Sequence, residues 1–507
     1  MVVGALAIAV SPAGAQPPAS VPAGPLTLEQ VLALAEDRSE TIAISRAGVQ
    51  RAEGEQVRAR SGRYPQLSGA VSYDRALTSE FEGIFEETDL EAGENDFGDL
   101  PFGRENTWRV AVSLSQNLYS GGRLRAQARV ADAGRDAATL GVSTARGQLL
   151  FDVTQAYYDA VLSDRLVRIA QATLDQAGAT LQQTQAGFDA GTQPEFEVVR
   201  ARVTRDSQTP LVIRQRANRE VALLRLKQLL DLPQDFDLQL ADAFGDDQLP
   251  PPPIFAPRVA SLEASIATVK PVSLAAPPEA VPDRTVVGEA AATLRLREAS
   301  LLLTEAQRKP SVTLNSTYAR IAYPSNVFPS FDRSNWSVGA ALNVPVLTGG
   351  RQRGDEQVAR AELEQAKLQL RQTQELAELD SRAAWAELLA ARATWEASAG
   401  TVQQAARAYE IADVRYRAGV STQLELSDAR LLQQQAEANR AQAARDLQVA
   451  RARMALLPDL PLGASVSRVL PQPLPVPTTP SVPQPQVPGG PVIANAAQGG
   501  GFQVGTR

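Results

Sequence analysis

The chain contains one pattern twice. At an offset of 228 (336 minus 108), Trp108 falls on Trp336, Gly121-Gly122-Arg123 on Gly349-Gly350-Arg351, and Tyr157 on Trp385. Phe188-Asp-Ala-Gly191 falls on Tyr416-Arg-Ala-Gly419, Glu197 on Glu425, and LLDLP at 229–233 on LPDLP at 457–461. No insertion interrupts this alignment from residue 108 to 233. Upstream the offset becomes 245 (310 minus 65), where Tyr64-Pro65 falls on Lys309-Pro310, so the first copy carries 17 extra residues (245 minus 228) before Trp108. A twofold repeat of roughly 200 residues is too long for a solenoid. The chain must instead join two like units, at 16–248 and 284–462, through a Pro-rich linker at 249–283. Residues 463–507 are rich in Pro, Gly and Val, a composition that predicts a disordered tail.

Each copy holds two segments that alternate with period two, at 66–77 and 107–119, then at 311–323 and 335–347. In the second of them Trp108, Val110, Val112, Leu114 and Leu118 share one face, opposite Thr107, Arg109, Ala111, Ser113, Ser115 and Asn117. That is the pattern of a strand with one apolar and one small or polar face. At about 10 to 13 residues, each segment has the length that a tilted strand needs to cross a bilayer. A soluble sheet with one buried face has the same period. The aromatics favour the membrane, because Tyr64 and Tyr119 fall at one end of the first hairpin and Trp108 at the other. The loop joining that hairpin, 78–106, is strongly acidic and matches no EF-hand spacing, so it is expected to be an exposed outer loop.

The segments 123–187 and 351–418 contain no proline and are rich in Ala, Gln, Leu, Arg and Glu, all good helix formers. Sixty-five helical residues make a rod of about 98 Å. Return helices at about 195–230 and 424–456 cover roughly 54 Å, and shorter helices at 40–60 and 288–308 about 32 Å more. Stacked end to end, the two shorter helices nearly match the rod. Proline marks strand entry (Pro65, Pro310), where it can end a helix and occupy the first strand position. A double glycine marks strand exit (Gly121 and Gly122, Gly349 and Gly350), where the backbone must turn from strand into helix. These six are architectural joints.

The chain has no Cys and no His, which removes thiol redox chemistry, thiolate or imidazole metal sites and His-based triads. No phosphate loop or nucleophile elbow appears, so neither an enzyme nor a cofactor site is expected. A net charge of −7 argues against a nucleic-acid partner. Residues 2–10 are apolar and precede an A-x-A site ending at Ala15, which predicts an export signal over 1–15 without its usual basic start. Acylation at a new N-terminal Cys is excluded. No later run of 18 apolar residues predicts a membrane-spanning helix.

Together these features resemble the TolC family of outer-membrane efflux ducts, over roughly residues 26–462. The most specific parts are LTLEQVLALAEDRSETI (26–42), the YPQL and KPSV strand entries, both GGR joints, and RYRAGVSTQLELSDAR (415–430). The resemblance implies a mainly α protein with a membrane β-barrel, in which three protomers share a 12-stranded barrel continuous with a 12-column α-helical periplasmic barrel. The physical reading agrees, because four strands cannot close a barrel and an open sheet in lipid leaves two unsatisfied edges. It also implies localisation in the outer membrane with extension into the periplasm. The implied partners are outer-membrane lipid, a periplasmic adaptor (membrane fusion) protein and an inner-membrane pump of RND or ABC type. Cargo would be small molecules, as in multidrug efflux, or proteins, as in type I secretion.

Carried over residue by residue, Glu425 and Asp428 match the acidic rings of the periplasmic gate, and Tyr416 and Glu197 match its network. The family's namesake has an arginine in that lock where this chain has Ser421. Arg200, the repeat equivalent of Asp428, is the expected substitute, pairing with an acid on a neighbouring helix. Gly191, Thr192, Gly419 and Val420 match the tips where the adaptor docks. The competing reading is a periplasmic or surface coiled-coil scaffold with no pore.

Overall fold

The computed structural model describes residues 24–78, 106–241, 244, 249–260, 284–324, 331 and 333–463. The expected export signal, nearly all of the acidic loop, most of the Pro-rich linker and the C-terminal tail lie outside those residues.

Helices α1 (Leu28–Arg38) and α2 (Glu40–Ser61) come first. Thr27 and Gln30 form a capping box that starts α1, and the Ser39 side chain caps α2. A hairpin of β1 (Gln66–Arg75) and β2 (Asn106–Tyr119) leads into α3 (Arg123–Asp189) and then α4 (Glu195–Leu229). The second copy repeats the order with α5 (Thr285–Ala306), β3 (Ser311–Ala322), β4 (Arg333–Asn343), α6 (Arg351–Arg417) and α7 (Gln423–Leu456). The rods α3 and α6 are 67 residues each, about 100 Å at the helical rise. Both α2 and α4 pack on α3, and α5 lies against α3 and α6. Helix α7 packs on α6 and also on α3.

The strands form one antiparallel sheet in the order β1-β2-β3-β4. Its registers restate the duplication. Gln66 pairs with Ser115 in the first hairpin and Ser311 with Asn343 in the second, so the same pair recurs after shifts of 245 and 228. Residues paired across strands share a face, which puts Leu67, Val71, Tyr73, Trp108, Val110, Val112, Tyr318, Trp336, Val338 and Leu342 on one side. Tyr73 and Trp108 contact there with ring centroids 4.8 Å apart. The other side carries Ser, Ala, Thr, Asn and Gly, with Gln66, Asp74, Arg109, Ile321 and Arg333 among them, while Arg320 lies on the first side opposite Val110.

Strand β4 stops at Asn343, four residues before the expected end at Leu347. Pro345 supplies the reason, since it has no N–H for the ladder and pushes Val344 out of a free choice of angles. The equivalent position in β2 is Asn117, and β2 runs on to Tyr119 after a register shift. Strand β1 ends at Arg75 rather than Leu77.

The main core lies at mid-height of the rods, where α1, α3, α4, α6 and α7 converge. Tyr157 is fully buried, and its hydroxyl donates to the Leu26 and Ala241 carbonyls at 3.4 and 3.2 Å. Its repeat-mate Trp385 is buried as well. Burial pushes the neighbouring Tyr158 phenol above its ordinary pKa, so that ring stays neutral. Beside this core Asp380 receives two guanidinium groups, Arg284 at 2.8 Å and Arg453 at 2.9 Å. Arg284 also donates to the Ala377 and Leu460 carbonyls, tying the start of α5 to α6 and the end of α7.

Candidate functional site at the helical tips

Both rods end in the same backbone device. Gly191 adopts φ +75° and Gly419 φ +71°. Thr192 N–H donates to Gly187 O at 2.8 Å and Gly191 N–H to Phe188 O at 2.9 Å. At the second tip Val420 N–H donates to Arg415 O and Gly419 N–H to Tyr416 O, each at 3.0 Å. These paired bonds are Schellman motifs, which need a left-handed residue and therefore glycine. They present Gly191, Thr192, Gly419 and Val420 to solvent, and Val420 is 71% exposed.

Just inside the tips the two copies are bolted together by polar groups. Tyr416 is buried, and its hydroxyl lies 2.9 Å from Thr184 Oγ1 on α3. One turn further along α3, Thr180 Oγ1 accepts from Arg430 Nη2 at 2.8 Å. Arg430 is 4% exposed, its guanidinium lies 6.0 Å from the Tyr409 ring centroid, and its Nε has no hydrogen-bond partner among the described residues. A third link joins the starts of α4 and α7. With its amide turned to suit the network, Gln423 donates to Glu197 Oε2 at 2.9 Å and to Glu197 O at 3.2 Å.

The carried-over acids occupy a different environment. Glu425 and Asp428 are both exposed on the first turns of α7. Glu425 accepts from Ser421 Oγ at 2.8 Å and has Arg415 at 3.7 Å. Asp428 has no ion-pair partner among the described residues. Within a single copy Arg200 stays on its own helix, 3.6 Å from Glu197 and stacked 4.6 Å from the Phe196 ring. Both contacts lie within one helical turn of Arg200, so the side chain satisfies itself locally.

Sequence reasoning missed Thr180, Thr184, Arg430 and Gln423. Two threonines four apart mark one helix face, but threonine is an ordinary helix residue and nothing in the pattern singled them out. Arg430 closes the RYRAGVSTQLELSDAR run and reads there as one more helix charge.

At the far ends of the rods the joints behave as the repeat demands. Gly121 and Gly122 sit at φ +61° and +95°, Gly349 and Gly350 at +58° and +87°. Pro65 and Pro310 immediately precede β1 and β3. No group of acidic residues placed to hold a metal ion occurs among the described residues. No helix among them is long and apolar enough to cross a membrane.

The outer membrane efflux protein family model matches residues 31–231 and 277–468. The chain is 25% identical over 407 residues to the pyoverdine export outer membrane protein OpmQ of Pseudomonas putida, which spans 79% of each chain. It is 22% identical over 405 residues to the outer membrane efflux protein BepC of Brucella suis, covering 80% of this chain and 78% of that one. Among solved structures, the CmeC outer membrane channel of Campylobacter jejuni matches with a TM-score of 0.68 at 17% identity, over 87% of this chain and 88% of that one. The outer-membrane channel OprN matches with a TM-score of 0.66 at 21% identity, over 86% and 90%.

Proposed function

The chain belongs to the outer membrane efflux protein family and is an outer-membrane export channel, and from that premise we propose how it is assembled and gated. Three copies close their four-stranded sheets into one barrel in the outer membrane, and their rods continue it as a duct through the periplasm. The observation that carries this reading is the sheet itself. One face is mostly apolar and exposed, with Trp336 at 74% and Leu67 at 71%, and both edges lack a neighbour among the described residues. A soluble scaffold would have to bury such a face, whereas lipid covers it and further copies complete the edges.

Cargo enters at the helical tips. Three copies of Glu425 and of Asp428 form acidic rings there, a device that favours cations. Tyr416–Thr184, Arg430–Thr180 and Gln423–Glu197 hold the second tip against the first in the closed state. A periplasmic adaptor docks on Gly191, Thr192, Gly419 and Val420 and couples the duct to an inner-membrane pump of RND or ABC type. The pyoverdine exporter among the relatives supports a small organic cargo. The gate assignment is tested by Glu425→Ala with Asp428→Ala. Cation preference in planar bilayers should fall in the double variant. Unchanged preference and unchanged conductance would remove these acids from the gate.

A further inference from the structure

The duplication shows where the second copy has departed from the first. In the first copy Arg216 on α4 donates to Gln171 on α3 at 2.9 Å, a bridge across the helix pair. At the offset of 228 the same places in the second copy hold Ala444 on α7 and Ala399 on α6. Two alanines cannot make such a bridge. Beside them lies a recess of about 390 Å³ among α3, α6 and α7. Gly400 borders it, and a Cβ added there would meet nothing within 4 Å.

The walls changed in the opposite sense. Val167 and Val212 of the first copy become Trp395 and Arg440, and Thr209 becomes Glu437. The Arg440 guanidinium sits over the Trp395 ring, 4.2 Å from its centroid. Trp395 itself packs on the main core. Arg165 of α3 and the buried Phe244 complete the lining. Glu437, which accepts from Gln433 Nε2 at 2.9 Å, is the carboxylate among these residues. Two guanidinium groups against one carboxylate leave the lining net positive.

We propose that this recess is a binding site for a small aromatic carboxylate. Small-molecule sites run from about 300 to 1,000 Å³ and combine apolar or aromatic walls with a few orienting polar groups. Trp395 and Phe244 supply ring surface. Arg440 and Arg165 supply planar, charged donors of the kind that matches a carboxylate. A guanidinium over an aromatic face keeps its N–H groups in its own plane, so the Trp395 contact orients Arg440 without drawing on those donors. A cationic guest would meet a net positive wall. An uncharged one would cover the guanidinium groups and return no charge to them. The recess is separate from the acidic tip. Gln403, the lining residue of α6 nearest that tip, stands 16 residues from Gly419 (419 minus 403), about 24 Å along the helix.

Titration calorimetry on the full chain in detergent tests the site, with 2-naphthoate, 2-naphthamide and 2-naphthylmethylamine as probes. The three share their rings and differ in charge. One saturable site per chain is expected for the carboxylate, with the amide and the amine roughly tenfold weaker or more. Ala399→Trp, at an exposed position, fills the recess and should abolish binding while the unheated oligomer persists. Arg440→Gln should weaken 2-naphthoate roughly tenfold and leave the amide unchanged, a split that a merely structural role would not produce. Absence of saturable 2-naphthoate binding to the unsubstituted protein overturns the site. Equal binding of the three probes overturns the ligand class, and binding retained in Ala399→Trp overturns the location. Unaltered 2-naphthoate affinity in Arg440→Gln overturns the pairing of that guanidinium with the carboxylate.

Discussion

At Gly122 and Gly350 the backbone takes φ +95° and +87° at the position that caps each rod. An L side chain at such an angle costs roughly 1–2 kcal/mol, because Cβ crowds the following carbonyl. Gly122→Ala and Gly350→Ala should each destabilise the assembled protein by about that amount, seen as a lower thermal midpoint of the unheated oligomer. An unchanged midpoint would mean that the joint tolerates another geometry. The joints were legible from sequence because nothing but glycine serves there and because each appears twice. The buried hydroxyl and guanidinium contacts were not. Thr180, Thr184 and Arg430 acquire their meaning only from what α6 and α7 bring against α3, and local pattern carries no trace of that pairing. Within one copy Arg200 rests on Glu197 and Phe196 of its own helix.

Among the elements, the helical hairpin α6–α7 is the one whose attachment looks adjustable. It meets the first copy near the tips through Tyr416 and Arg430, both buried, while Gln423 reaches across to Glu197. Arg430 is a charge out of water that donates to the neutral Thr180 hydroxyl, and its Nε finds no hydrogen-bond partner among the described residues. Burial without a carboxylate disfavours a guanidinium. In the proposed closed state, one of the bonds that hold the tip is therefore costly to keep. Removing the buried Tyr416–Thr184 bond by Tyr416→Phe should weaken closure by about 1 kcal/mol, a severalfold shift toward open states. The measurement is channel open time in bilayers, which should lengthen in the variant. Open times equal to those of the unsubstituted protein would show that this bond does not hold the tip. Strand length was the weaker part of the sequence reading at this scale. Pro345 sits within the alternating run and has no N–H to give the ladder, and β4 ends two residues before it although the side-chain pattern continues past it.

Seen whole, the molecule is two copies of one unit joined through the β2–β3 seam. The duplication, the alternating strands and the proline-free rods were all readable from residue identities, because each is a periodicity repeated over many positions. What the periodicities could not supply was the set of contacts between elements far apart in sequence, above all the Asp380 cluster and the buried groups behind the tips. We propose that copies of this chain enclose a continuous water-filled path across a bilayer. Purified protein added to planar bilayers measures that directly. Discrete conductance steps of uniform size with a preference for cations are expected. Protein that inserts as a stable oligomer yet yields no steps, in the unsubstituted form and in Tyr416→Phe alike, would contradict it.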